Sequence, residues 1–340
     1  MTEVNIKKYT HKDFSSGLEV RWCPGCDDYA ILRAVQKALP LMDRKKEDFV
    51  FVSGIGCSSR FPYYMGTFGF HSIHGRGPAL ATGVKLANPE LSVWQITGDG
   101  DALAIGGNHF IHVLRRNVDI NILLFNNEIY GLTKGQFSPT SILGQKTKTS
   151  PYGNIQKPFH AGELVIGAQG DFFARVPGNN PKMMTSIFVE AEKHRGTSLV
   201  EIFQNCVIFN NNAFEDMFGK EHKSDTSILL EHDKPMIFGK NSDKGLVLNG
   251  LKLEVVTIGE NGVTEGDILV HDAHEADPTM HLMLARMDVP EFPIALGIIR
   301  SVKNPTYGER VREQTEEVKA KAKFKDLDSL FNSGETWEIK

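Results

Sequence analysis

From residue 28 to residue 210 the chain keeps one rhythm: a short, almost uninterrupted apolar run, then a segment with apolar residues at helical spacing. The runs FVFVSG (49–54), LSVWQITG (91–98), INILLFNN (120–127), DFFARV (171–176) and SLVEIFQ (198–204) predict strands. The intervening DYAILRAVQKALPLM (28–42), GPALATGVKLAN (77–88), ALAIGGNHFIHVLRRN (102–117) and PKMMTSIFVEAEKHR (181–195) predict helices. Strands without polar alternation are buried on both faces, and strands joined through helices run parallel. The expected fold is therefore a doubly wound, mostly parallel α/β sheet with right-handed connections. Such a sheet holds its ligands beyond the carboxyl ends of its strands, which says where chemistry belongs.

Two regions break the rhythm. Residues 128–160, EIYGLTKGQFSPTSILGQKTKTSPYGNIQKPFH, are polar and rich in Gly, Pro, Ser and Thr. A loop of that length in a compact domain is usually functional. After about residue 210, KPMIFGKNSDKGLVLNGLKLEVVTIG (234–259) reads as strands joined by turns, and VREQTEEVKAKAKFKDLDSLF as a charged, solvated helix. These changes divide the chain into an α/β domain, residues 1–215, and a small strand-rich extension, residues 216–340, expected to serve subunit contact or to cover a site. Charge is nearly balanced, with 38 Lys and Arg against 42 Asp and Glu, which speaks against a broad nucleic-acid-binding face. No apolar run is long enough to span a membrane. The opening MTEVNIKKYTHKDFSS lacks the apolar segment of a signal peptide. Four cysteines are too few for a disulfide scaffold in 340 residues, so a cytoplasmic compartment is expected.

The turn ITGDGDALAIGG (96–107) sets Asp99 and Asp101 among glycines at a strand's carboxyl end, and Asn126 and Asn127 close the next strand. Gly98 and Gly100 let the backbone approach a ligand closely. The helix starting near Ala102 would aim free N–H groups at a phosphate. Carboxylates repel phosphate unless a cation lies between them. Asp99 therefore reads as a hard oxygen ligand for Mg²⁺, with Asn127 adding a neutral carbonyl oxygen; magnesium completes its octahedron with phosphate and water. The plainer alternative is an acidic helix cap followed by an Asx turn. A dinucleotide site is weaker, because GIGCSS and GDGDAL both lack the third glycine of G-x-G-x-x-G.

WCPGC gives Cys23 and Cys26 the spacing of a metal-binding pair. Cys57 in GIGCSSR and Cys206 in FQNCVIFN also fall at strand ends. Three readings stay open on spacing alone: a [4Fe–4S] cluster, a Cys₄ zinc site, or a redox dithiol with two bystanders.

Gly-Asp-Gly, then 25 residues, then Asn-Asn resembles the signature of thiamine-diphosphate enzymes. That resemblance implies Mg²⁺ held by Asp99, Asn127 and the main-chain carbonyl of Ile129. A wider resemblance runs from about residue 19 to 212. The segments RWCPGCDDYAILRAV, SGIGCSSRFPYY, HSIHGRGPALATGVKLANP, TGDGDALAIGGNHFIHVLRRN and NNEIYGLTKGQFSPT, in that order, closely resemble the β subunit of two-subunit 2-oxoacid:ferredoxin oxidoreductases acting on 2-oxoglutarate.

The family likeness implies one [4Fe–4S] cluster on Cys23, Cys26, Cys57 and Cys206. It also implies thiamine diphosphate against Ile55, Gly56, Cys57, Ser58, His74, Gly100, Asp101, Gly131 and Leu132. It further implies oxidative decarboxylation of 2-oxoglutarate with coenzyme A to succinyl-CoA and CO₂. Electrons leave one at a time to ferredoxin, and the reverse direction fixes CO₂. Thiamine enzymes take a glutamate from a second, pyrimidine-binding domain. No second α/β unit is evident, so a partner α subunit is expected to bring it. Four cysteines hold one cluster and no chain of them, so electrons pass directly to an external carrier.

The distal carboxylate of 2-oxoglutarate needs a cation when buried. Arg60 and Lys134 are the candidates, with GLTKGQ favouring Lys134; either could instead be a solvated surface charge. His74 could be a plain turn histidine. Two other identities remain: a pyruvate or broad 2-oxoacid enzyme of the same architecture, and a zinc-stabilised nucleotide-binding regulatory subunit.

Overall fold

In a computed structural model that describes residues 9–324 and 326–339, strand β1 (Phe49–Ser53) is buried throughout and sends alternate side chains to opposite sides. Val50 and Val52 enter one hydrophobic cluster, Phe49 and Phe51 the other. The same division recurs along β3 (Ser92–Gly98), β4 (Asn121–Asn126), β5 (Phe172–Pro177) and β6 (Ser198–Phe203) once β2 (Phe68–His71) is set at the outer edge of β1. These strands pair in the order β2-β1-β3-β4-β6-β5, all parallel. Period-two side-chain placement on apolar runs is what makes one sheet serve two cores.

Helices cover both cores. Helix Asp28–Ala38 buries Ile31, Leu32, Ala34, Val35 and Ala38, and packs with helix Pro181–Lys193, which buries Met184, Ile187, Phe188 and Ala191. On the other face, helix Gly107–Arg116 contributes Phe110, Val113 and Leu114. It ends at Asn117 in the left-handed region, φ 52°, a position asparagine tolerates as a cap. Truncating a fully buried ring such as Phe51 would cost about 3–5 kcal/mol.

All nine strands and helices expected between 28 and 210 are present, with shifted ends. The helix from Asp28 stops at Ala38 and tightens into a 3₁₀ turn, Leu39–Leu41, around Pro40. The segment expected as one helix over 102–117 opens as a π turn, Asp101–Ile105, before the α-helix. Such turns add a residue to a helix and occur often at functional sites.

The carboxyl-terminal part departs from expectation. The turn-joined strands are there, as the antiparallel sheet β8 (Ile237–Phe238), β9 (Lys244–Asn249) and β10 (Lys252–Thr257). The main sheet, however, continues past β5 into β11 (Ile294–Ser301), antiparallel to β5, and then β7 (Ser227–Leu230). An eight-stranded sheet thus crosses the expected boundary at 215/216. Pairing with β5 is a long-range event that no local pattern in 216–340 announces. The charged helix is two pieces, Tyr307–Lys321 and Leu327–Phe331. Among the described residues no helix is long and apolar enough to cross a membrane. The first eight residues of the opening stretch lie outside the described residues.

Candidate active site at the carboxyl ends of the strands

A cavity of about 150 Å³ opens beyond the ends of β1, β3 and β4. It is lined by Ile55, Gly56, Cys57 and Ser58, by His74, by Gly98 to Asp101, by Asn127, and by Ile129 to Thr133. The loop after β1, the two-acid turn and the Asn-Asn turn thus converge as parallel strand ends require. A larger groove of about 1330 Å³, between helix Pro181–Lys193 and the β11–β7 edge, holds none of these residues.

Asp99 is 3 % exposed. Ser138 and Thr140 both donate to its Oδ2, at 2.5 and 2.6 Å. The other oxygen receives no side-chain donor among the described residues. Burial pushes the carboxyl up from its ordinary range, while the two hydroxyls pull the other way. A cation here would hold it ionised. Asn127 Oδ1 accepts from the Ile129 N–H at 3.2 Å, and Asn126 Oδ1 from the Glu128 N–H at 3.3 Å, two consecutive Asx turns. The plain Asx-turn alternative is therefore correct as local geometry, yet both turns serve to curl the chain around the cavity. Glu128 sits between them at φ 56°, with its carboxyl pushed up to about 8, chiefly by burial and then by the Asp99 charge.

Asp101 departs from the role expected of it. Its carboxylate accepts from Ile55 N at 3.0 Å, Gly75 N at 2.7 Å and Thr97 Oγ1 at 2.8 Å, and lies 2.6 Å from His74 Nδ1. The carboxylate joins three loops, with Oδ1 taking three of these contacts and Oδ2 one. The contact to a carboxylate puts the His74 proton on Nδ1. Gly100 has no alternative: a Cβ there would come within 2.1 Å of the Tyr130 ring, whose hydroxyl donates to the Gly100 carbonyl at 3.0 Å.

All four cysteines are free. A Cβ placed on Gly131 would lie 3.5 Å from Cys206 Sγ and 3.6 Å from Cys57 Sγ, so the glycine leaves open space between two thiols. Burial pushes Cys57 up to about 12, with Asp28, Cys206 and Cys23 adding to it. Cys26 rises for the same reasons, burial first and then Asp28, with Cys206 and Cys57 adding to it. Thiols that oppose one another's ionisation lie close together, and a cationic core among them would reverse the sign. Soft sulfur donors suit iron–sulfur or zinc alike. Among the described residues, no three His, Cys, Asp or Glu side chains already stand in the arrangement of a bound metal ion.

Arg60 and Lys134 do not line the cavity. Arg60 Nε donates to Tyr64 Oη at 3.0 Å. Lys134 lies at φ 74° in a tight turn closed by Lys134 N–H to Gly131 O at 3.0 Å and Gly135 N–H to Tyr130 O at 2.9 Å. Four contributors escaped the sequence reading. Ser138 and Thr140 were visible only as a hydroxyl cluster in the long loop. Gln204 is distinguished only by its position two residues before Cys206. Asp28, 1 % exposed, lines the cavity; burial followed by the Asp27 charge pushes its carboxyl up to about 7, while the Cys26 thiol pulls the other way.

Residues 54–202 match the family model of the thiamine pyrophosphate enzyme C-terminal TPP-binding domain. The chain is 47% identical over 331 residues to the 2-oxoglutarate oxidoreductase subunit KorB of Mycobacterium tuberculosis, covering 96% of this chain and 88% of that one. It is 46% identical over 189 residues to the 2-oxoglutarate synthase subunit KorB of Archaeoglobus fulgidus, covering 54% and 69%. The 2-oxoglutarate:ferredoxin oxidoreductase of Magnetococcus marinus, solved with 2-oxoglutarate, coenzyme A and succinyl-CoA bound, superposes with a TM-score of 0.78 at 28% identity over 98% of each chain. The likeness thus extends well past residue 212, into the carboxyl-terminal third.

Proposed function

The chain belongs to the KorB family, the β subunits of 2-oxoglutarate oxidoreductases (2-oxoglutarate synthases), and from that premise we propose how its residues divide the work. Asp99, Asn127 and the Ile129 carbonyl hold Mg²⁺ against the diphosphate of thiamine, and Cys23, Cys26, Cys57 and Cys206 hold one [4Fe–4S] cluster. One observation carries this reading: Cys57 belongs both to the wall of the cavity that Asp99 and Asn127 line and to the thiol pair facing Gly131.

Bound thiamine diphosphate stabilises the negative charge left when CO₂ departs, and an iron–sulfur cluster takes up single electrons. The chain's own residues prepare that chemistry. Ser138 and Thr140 fix one Asp99 oxygen, so the other is presented in one direction. Asp101 orients His74 towards the diphosphate side of the cavity. The main chain at Ile55, Gly56, Ser58, Gly131 and Leu132 supplies the walls. Lys134, or Arg60 in its place, is the cation for the distal carboxylate of the substrate.

The site is incomplete by itself. A cavity of about 150 Å³ is half of what encloses even a small ligand. Phe68, Phe70 and Ile73 on and beside the edge strand, and Ile105 and the cavity-lining Leu132, leave apolar surface exposed. Both features support a partner α subunit that brings the pyrimidine side and its glutamate. Met287, Asp288 and Ile294 back the Glu128 turn, consistent with residues 216–340 acting in site cover and subunit contact. Ferredoxin is the acceptor, and the assembly works in the cytoplasm.

The test is anaerobic co-purification with the α subunit, iron and sulfide analysis, and viologen reduction with coenzyme A and either 2-oxoglutarate or pyruvate. Activity with 2-oxoglutarate only in the two-subunit form, and iron matched by sulfide, is expected. Zinc in place of iron, or turnover by this chain alone, would overturn the reading.

A further inference from the structure

Gln204, 2 % exposed at the end of β6, uses its whole amide. Its Oε1 accepts from Asn127 Nδ2 at 2.7 Å, while Nε2 donates to Cys26 Sγ at 3.2 Å and to the Asn205 carbonyl at 2.8 Å. Asn127 cannot turn over, because its Oδ1 takes the Ile129 N–H. Gln204 cannot either: a flip would set its NH₂ against that of Asn127 and its oxygen against a carbonyl and a sulfur. The two amides form a chain of fixed polarity from the metal turn to a cluster cysteine.

Resting on the reading above, we propose that Gln204 is a positioning residue shared by both halves of the site. It holds the Asn127 side chain, and it sets the N–H···S bond on Cys26 according to what Asn127 holds. A cation on Asn127 Oδ1 draws charge through the amide and makes its Nδ2–H a stronger donor. Hydrogen bonds in series strengthen one another, so the N–H on sulfur strengthens in turn. Hydrogen bonds to cluster sulfurs favour the reduced, more negative state and raise the potential. Occupancy by thiamine diphosphate with Mg²⁺ should therefore ease reduction of the cluster, and by linkage the reduced cluster should hold the cofactor more tightly.

The experiment is an EPR-monitored redox titration of the anaerobic two-subunit complex, with and without thiamine diphosphate and Mg²⁺. In Gln204→Met the one-electron equilibrium should move towards the oxidised cluster by about tenfold, ~59 mV. The cofactor-dependent difference seen in the unaltered complex should disappear. Gln204→Glu keeps an acceptor for Asn127 and loses both N–H groups, so it should retain thiamine while its potential falls. If Gln204→Met fails to assemble a cluster, the isosteric glutamate variant decides. An unchanged potential at full iron content in the glutamate variant, or no effect of the cofactor in the unaltered complex, overturns the inference alone. An unaltered complex without iron overturns the cluster reading and the inference together.

Discussion

Arg175 and Glu201 stand directly opposite each other on the neighbouring parallel strands β5 and β6, joined at 2.7 Å from Nε to Oε2, with 4 % and 2 % exposed. A buried ion pair is poor value as stabilisation, since desolvation offsets most of the attraction. This one leads elsewhere. Glu201 Oε1 accepts from Asn126 Nδ2 at 2.9 Å, which turns Asn126 Oδ1 to the Glu128 N–H and to Thr140, 3.0 Å away. Thr140 has a single hydroxyl proton and gives it to Asp99 across the shorter contact, 2.6 Å, so it meets Asn126 Oδ1 as a polar neighbour and not as a second donor. A continuous buried polar path therefore joins the middle of the sheet to the Asp99 carboxylate.

Glu201→Gln should break that path without changing its shape. Arg175 claims the one remaining acceptor, the new NH₂ faces that of Asn126, and Asn126 must flip away from the Glu128 N–H. The left-handed turn at Glu128 then loses its support. The Mg²⁺ concentration for half-maximal thiamine retention should rise about 10- to 100-fold, the usual cost of losing an outer partner of a metal ligand. Lys85→Met, which breaks the separate Lys85–Asp119 pair at 2.8 Å, should lower stability and leave the Mg²⁺ requirement alone. An unchanged requirement in Glu201→Gln would reduce the pair to a strand clasp.

Asp99→Ala and Cys206→Ser should dissect the site in opposite senses. The first removes the proposed magnesium ligand and should abolish thiamine retention with iron intact. The second should strip iron and electron transfer while thiamine still binds. Cofactor and iron content measured on the same preparations check both. Joint loss in either variant would mean the halves fold as one unit.

Lys134→Ala should raise the KM for 2-oxoglutarate far more than that for pyruvate, which lacks the second carboxylate. Losing a hydrogen bond to a charged group costs roughly 1.5–3 kcal/mol, or about 10- to 150-fold in kcat/KM. The left-handed backbone at φ 74° is no confounder, because alanine meets the same strain there as lysine. Equal losses for both substrates would assign the lysine to its turn instead.

His194→Leu should flatten the acid side of the stability profile. Burial pushes the His194 imidazole down to about 4, its Nε2 has no partner, and Phe172 packs on the ring at 5.3 Å. Unfolded, it titrates near ~6.5, so between the two values the unfolded chain binds more protons and stability rises with pH. The stability is fully present above about pH 6.5 and is lost as pH falls through about 4, up to about 3 kcal/mol. Thermal midpoints at pH 7 and pH 4.5 should differ less in the leucine variant. An identical drop would place the acid sensitivity elsewhere.

What the sequence determined by itself is local in origin. Apolar runs at strand length, helical spacing between them and a glycine-acid turn dictate a parallel sheet whose strand ends carry Asp99, Asn127 and Cys57, because those patterns depend only on residues near in the chain. Tertiary structure alone decided the rest. Asp101 and Asp99 look alike in GDGD, yet one holds Ile55, His74 and Gly75 besides the nearby Thr97 while the other faces Ser138 and Thr140, since those partners, Thr97 apart, lie 26 to 46 residues away in one case and 39 to 41 in the other. Strands β7 and β11 joined the main sheet because β5 offered an unpaired edge, a property of the assembled sheet and not of either segment. Gln204 links Asn127 to Cys26 only because β4, β6 and the loop at Cys26 end side by side: hydrogen bonds of this kind are fixed by ångström-scale packing of distant elements, which no short pattern encodes.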